Sequence, residues 1–350
     1  MSDATGVTAQ TTVRFPDGET PQMTELSEQL AQLLAHDGLA HLVLYDGDTT
    51  RVALAATVPE PSGSSSRRTN DHAEFARAPD SYDHERTGRQ IYYLLEELQP
   101  DFTALRTGAL IRTVLRVPSG AVLYYQVEPG CHLYAATASV HRLAELDASM
   151  AECANNLRLP GRYSPLNYGS WFDTESWTLL SEAAPEARVP GEAAPLPTAD
   201  AVHVYRPEND APSSRTEDLL PEALDVQGLH YVAYHTSPVT AWAYDIFDHP
   251  VLHTFFRRRT PDQRRDRYAR MSRLLPGVVE RMNMSLSAIL RGEIIQLILD
   301  VEQGAVYYHT LEDGSFLVGV TLDQTRVTAA DHRLARLAKE LSKPSGTVES

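Results

Sequence analysis

Seven arginines crowd into fourteen residues of an otherwise acidic chain: Arg257, Arg258, Arg259, Arg264, Arg265, Arg267 and Arg270. Against a formal charge of −16 over 350 residues, this block is the sharpest local departure in charge. Guanidiniums at such density can hold a phosphate group or dock an acidic protein surface. The blander reading is a solvated helix start that pairs with the chain's own acidic linker, the usual fate of a charge run. Tyr168, Trp171 and Trp177 make a second cluster. Large aromatics of this kind anchor partners at interfaces, or tie a linker to its own domain. The candidate partner-binding residues are therefore Arg257, Arg258, Arg259, Arg264, Arg265, Trp171 and Trp177.

The other reactive side chains form no recognisable constellation. His230 and His235 lie five apart near a predicted strand and so face opposite ways. His309 and His332 fall on a strand and a helix, and no Cys/His spacing matches a zinc site. Cys131 would need a nearby base and a depressed pKa to act as a nucleophile, and a core cysteine is the simpler reading. The phosphate-loop, dinucleotide and nucleophile-elbow patterns are absent. Glu128 and Glu312 recur, but beside turn glycines; Tyr124 and Tyr308 suit cross-strand packing. The expectation is no catalytic residue, no cofactor and no metal.

The elements that must carry these residues come from a duplication. Gly108–Leu157 and Gly292–Leu341 align without a gap at an offset of 184, with Gly108/Gly292, Leu115/Leu299, Gly120/Gly304, Tyr124/Tyr308, Gly130/Gly314 and Asp147/Asp331 among the identities. Each copy has three short apolar runs of strand composition separated by breaks that end in glycine. Glycine supplies the left-handed residue that a short hairpin needs, so a three-stranded antiparallel meander is expected. A helix should follow, with Leu146, Met150, Cys153, Ala154 and Leu157 on one face in the first copy, and Ala330, Leu334, Leu337, Ala338 and Leu341 in the second. Thr328 and Asp331 suggest a capping-box-like start for the latter.

The repeat extends upstream. Met23–Leu34 reads as a helix, followed by strands at Gly38–Tyr45 and Thr50–Thr57. Glu217–Leu224, Gly228–His235 and Thr240–Ile246 repeat that order, at an offset of 190 for the strands. Middle helices are expected over His84–Thr107, where Pro100 should break or bend the helix, and Pro261–Arg291, where Pro276-Gly277 should kink it.

The layout expected is a disordered tail over 1–20, a first domain over 21–158 with a flexible insertion at 59–80, and a Pro-rich acidic linker over 159–215 containing the aromatic segment 161–180. A second domain then runs over 216–342, with a tail over 343–350. The negative charge argues against general nucleic-acid or anionic-membrane binding. Two cysteines make no disulfide framework, which favours a reducing cytoplasm. No apolar run has transmembrane length, and the N-terminus has no signal-peptide pattern.

The order helix, strand, strand, helix, three strands, helix, with its Gly-punctuated meander, resembles the roadblock / dynein light chain family. The best local match is Ile294–Leu341, notably VEQGAVYYHTLEDGSFLVGV; Val117–Leu157 matches less closely. The resemblance implies an α+β fold: two similar domains, each a five-stranded antiparallel sheet with flanking helices in profilin-like layering. Members pair through middle helices and central strands, so the two copies here should close on each other as an intramolecular pseudo-dimer, although the same physics permits a homodimer. Bacterial members often work with small Ras-like GTPases. The implied function is a non-catalytic cytoplasmic scaffold or regulator of such a signalling partner. A sensor with PAS- or GAF-like pockets is the alternative, and an enzyme of unrecognised chemistry the third.

Overall fold

The computed structural model describes residues 10–16, 18–34, 39–57, 80–158, 163–168, 202–206, 213–237 and 241–343. The first copy comprises β1 (Gln10–Arg14), α1 (Pro21–Leu34), β2 (Leu39–Asp46), β3 (Thr49–Thr57), α2 (Ser81–Leu105), β4 (Leu110–Val117), β5 (Gly120–Glu128), β6 (Cys131–Thr137) and α3 (Leu143–Arg158). The second repeats the order with β7 (His203–Tyr205), α4 (Ser214–Glu222), β8 (Tyr231–His235), β9 (Ala241–Asp245), α5 (Pro261–Leu286), β10 (Gln296–Val301), β11 (Gly304–Thr310), β12 (Phe316–Thr321) and α6 (Val327–Ser342).

All twelve strands form one antiparallel sheet, ordered β1-β3-β2-β6-β5-β4-β10-β11-β12-β8-β9-β7. The order reads the same from either edge once each strand is exchanged for its repeat. The fold is α+β as expected, but each half contributes six strands to a shared sheet rather than five to a sheet of its own. The sixth strands, β1 and β7, lie in stretches expected to be tail and linker. They pair with β3 and β9 and form the two edges. Both are short, and their residues are largely exposed, so neither shows the alternation that marks a half-buried strand.

Two apolar cores divide by sheet face, not by sequence copy. One face is covered by α1, α3, α4 and α6, with Leu30, Met150, Leu220 and Leu334 in a core that includes residues of both copies. The other face is covered by α2 and α5, with Ile91, Phe102, Leu275 and Met282. Both long helices carry capping boxes, Asp80 with Asp83 on α2 and Thr260 with Gln263 on α5. Pro100 and Pro276 both sit inside unbroken helices, so Pro100 does not end α2. The anticipated cap at Thr328 is replaced by a 3-10 turn, Gln324–Arg326, at which Asp323 accepts from the Thr325 amide.

The two copies meet where β4 pairs with β10. Val114 stands opposite Ile298, and these are equivalent residues of the repeat, so a local two-fold passes between them. Around that point Arg112 faces Asp300, and Arg116 faces Gln296. Arg112 donates to Asp300 at 2.6 Å and makes a two-pronged pair with Asp147 on α3. At the related position Gln296 donates to Asp331 on α6 at 2.7 Å. The network is buried. Loss of water raises the Asp300 pKa to about 7 against the pull of Arg112, and raises Asp331 to about 6. Gly108 and Gly292, both at positive φ, close the junction: a Cβ at either would overlap Glu302 or Pro118 of the opposite copy. Gly304 likewise needs its positive φ. Its repeat Gly120 does not, and is glycine because a Cβ would overlap the Thr137 carbonyl oxygen.

Candidate functional site

The copies differ where α2 or α5 crosses the outer strands. At the offset of 184, Ile91, Leu94, Leu95, Leu98 and Phe102 of α2 fall on Leu275, Val278, Val279, Met282 and Leu286 of α5, all buried. Continuing that alignment toward the helix starts, Glu85 corresponds to Ala269 and Gly88 to Ser272. On the strands, the offset of 190 matches Tyr45 with His235 and Ala55 with Asp245, and strand register matches Arg14 with Tyr205.

In the first copy this region is filled. Glu85 is 2% exposed and accepts from Thr50 at 3.1 Å, while Arg14 of the edge strand pairs with its carboxylate. Tyr45 donates to the Glu85 carbonyl at 3.0 Å, and its ring occupies the space a Cβ at Gly88 would need. His41 and His84 stack alongside with centroids 4.6 Å apart. Burial lowers their pKa values to about 3 and about 4, so both are neutral near pH 7.

In the second copy the same region is a cleft of about 390 Å³ between β7, β8, β9 and the first half of α5. Ala269 replaces the glutamate, and the smaller His235 replaces the tyrosine. Tyr205, Tyr231 and His203 supply aromatic walls, and Asp245, Asp266, Ser272 and Arg273 add polar groups. Asp245 is 2% exposed and held by two Arg265 hydrogen bonds of 2.8 and 2.9 Å. Arg265 also binds Asp262 and Asp248, and stacks over Phe247. Burial works against its charge, but the hydrogen bonds to Asp245 and Asp248 hold its pKa above the ordinary value. His235 is 1% exposed and stacked on Phe316 at 4.4 Å, with the Ser237 backbone beside its ring. Loss of water lowers its pKa to about 4, opposed by the Ser237 backbone nearby.

The arginine block is thus split by the fold. Arg264 is buried, donates to the Phe255 carbonyl at 2.9 Å and stacks over Phe256. Arg265 is the ionic hub of the cleft, bound to Asp245, Asp248 and Asp262 of its own copy. Arg257 and Arg258 are exposed and Arg259 half-buried, just ahead of α5. Trp171 and Trp177 lie outside the described residues. Tyr168 is buried on the first copy, donating to the Gln126 carbonyl at 2.7 Å and meeting the Tyr125 ring edge-on, which ties this part of the linker to its own copy.

Cys131 and Cys153 are both pushed up to about 12 by burial, so each thiol stays protonated. Among the described residues no group of three or more His, Cys, Asp or Glu could hold a metal ion, and no helix is long and apolar enough to cross a membrane. The cleft residues His203, Tyr205, Asp245 and Ala269 escaped the sequence reading. For Asp245 and Ala269 the signal was a mismatch between copies at the offsets of 190 and 184, whereas His203 and Tyr205 are matched to the first copy only by strand register. No family model matches the chain, and no curated protein does.

Proposed function

We propose that the chain is a non-catalytic interaction protein in which two roadblock-like halves, closed on each other, offer one platform to a signalling partner, with a small Ras-like GTPase as the partner class. The observation that supports this reading is the joining of two repeated halves through β4 and β10 beneath a pair of long helices. Those helices touch through Arg281–Glu97 at 2.7 Å and through Thr87 donating to the Ser285 carbonyl. Their outer surface carries Tyr82, Leu274 and Met284 exposed to solvent. Arg257 and Arg258 are exposed just before α5, where an acidic surface could meet them. A cytoplasmic setting belongs to the same proposal.

Affinity capture with the full chain as bait, followed by GTP-hydrolysis assays on any GTPase recovered, tests it. A recovered GTPase whose turnover changes on adding the chain supports the proposal. Leu274→Glu with Met284→Glu should then weaken capture by about tenfold or more without lowering Tm. Recovery of no protein partner, with GTPases of the same cell unaffected, would sink it.

A PAS- or GAF-like sensor needs an enclosed cavity on the sheet face. Most of both faces is packed with side chains, and the cleft under α5 is open toward the edge of the sheet rather than enclosed. The enzyme reading asks for carboxylates and histidines clustered in one copy alone. The cleft has them, but both carboxylate oxygens of Asp245 are already engaged by Arg265.

A further inference from the structure

We infer that the cleft of the second copy binds a small organic cation, an amine or amidine carried on a compact apolar or aromatic body. Its volume of about 390 Å³ lies within the range of small-molecule sites. The first copy shows how the fold closes the same region when no ligand is needed. There Glu85, Tyr45 and Arg14 fill it and satisfy one another. The second copy has Ala269, His235 and Tyr205 at those positions, and an opening where the ion pair would sit.

The sign of the ligand follows from the charges. Arg265 is one guanidinium bound by three carboxylates, Asp245, Asp248 and Asp262. Asp266 adds a further carboxylate to the lining, and only Arg273 offsets it. An anion entering would meet surplus negative charge and find Arg265 already engaged. A cation would be drawn in, and the Tyr205 and Tyr231 rings can add attraction from their faces. His235 completes the set: it is buried and lines the cleft, and with the Ser237 backbone beside its N–H the other ring nitrogen is an acceptor without a partner among the described residues. A neutral imidazole offers one acceptor and one donor, so a ligand N–H can satisfy the acceptor. Leaving such a group unpaired in a dry wall is costly, which gives a polar ligand an advantage over a purely apolar one.

Three probes of one shape separate the possibilities: 2-phenylethylammonium, 2-phenylethanol and 3-phenylpropionate, titrated into the full chain by calorimetry. The expected result is ammonium binding at about millimolar affinity or better, at least about tenfold tighter than the alcohol or the carboxylate. Ala269→Leu, which refills the cleft, should remove the binding. Asp266→Asn, an exposed change that leaves packing alone, should weaken it severalfold and serves should Ala269→Leu fail to fold. Equal or tighter binding of the alcohol or the carboxylate overturns the inference. So does ammonium binding unchanged in either folded variant, or no ammonium binding at about 10 mM. None of these outcomes depends on whether a protein partner is captured.

Discussion

Asp300 has no exposed surface, and one of its oxygens finds no hydrogen bond among the described residues. Arg112 is the cation that holds it. Removing one side of a buried pair leaves an uncompensated charge, so Arg112→Met should destabilise the protein by roughly 3–5 kcal/mol at neutral pH. Adding Asp300→Asn should recover part of that loss, as read by urea denaturation. The pH dependence has two opposing parts. Asp300 and Asp331 have folded pKa values raised to about 7 and about 6, so the folded state binds more protons than the unfolded chain above pH 4. Their contribution to stability therefore falls as pH rises through that window. His41, His84, His132 and His235 are lowered by burial to between about 3 and about 4, so their contribution is lost as pH falls from 6.5 toward 4. The histidines outweigh the two aspartates throughout, because half of each unfolded imidazole is still protonated at pH 6.5. Stability should therefore rise from pH 5 and level off between about pH 7 and 8, and Asp300→Asn should steepen the rise. Denaturant melts from pH 5 to 8 check both, and a fall in stability between pH 5 and 6.5 would contradict the assignment.

At the scale of elements, the two helices over the second face are not interchangeable. Gly88→Ala would drive a methyl into the Tyr45 ring and should cost roughly 1–3 kcal/mol. Ser272→Ala, at the matching position of α5, has no such obstacle and should cost less; paired thermal melts compare them. The meanders, α1 and the closing helices were legible in the sequence, because glycine breaks and apolar spacing are local signals and the duplication stated them twice. Strands β1 and β7 were not. QTTVR and HVY are short, exposed and polar or mixed, and exist as strands only because β3 and β9 offer open edges. The Asp245–Arg265 hub was hidden for a similar reason. Arg265 reads as one member of a charge run until the fold brings β9 under α5.

At the scale of the whole molecule, each core draws on both copies, so the halves should not unfold independently. Calorimetry should give one transition whose van't Hoff and calorimetric enthalpies agree for the entire chain; two resolved transitions would contradict the shared cores. Expressed as separate fragments, 1–168 and 202–350 should be poorly soluble alone, because β4 and β10 would each be an open central edge. Mixed, they should recombine one to one, as native mass spectrometry can count. The junction also dictates which mates are acceptable. Two β4 strands docked about Val114 would bring Arg112 of each against Arg116 of the other, cation to cation in a dry seam. A strand β10 brings Asp300 instead. The first half has thus become a lock cut for its twin and closed to its own likeness, so the duplication cannot be undone by discarding the second half: the survivor would have no one left to marry.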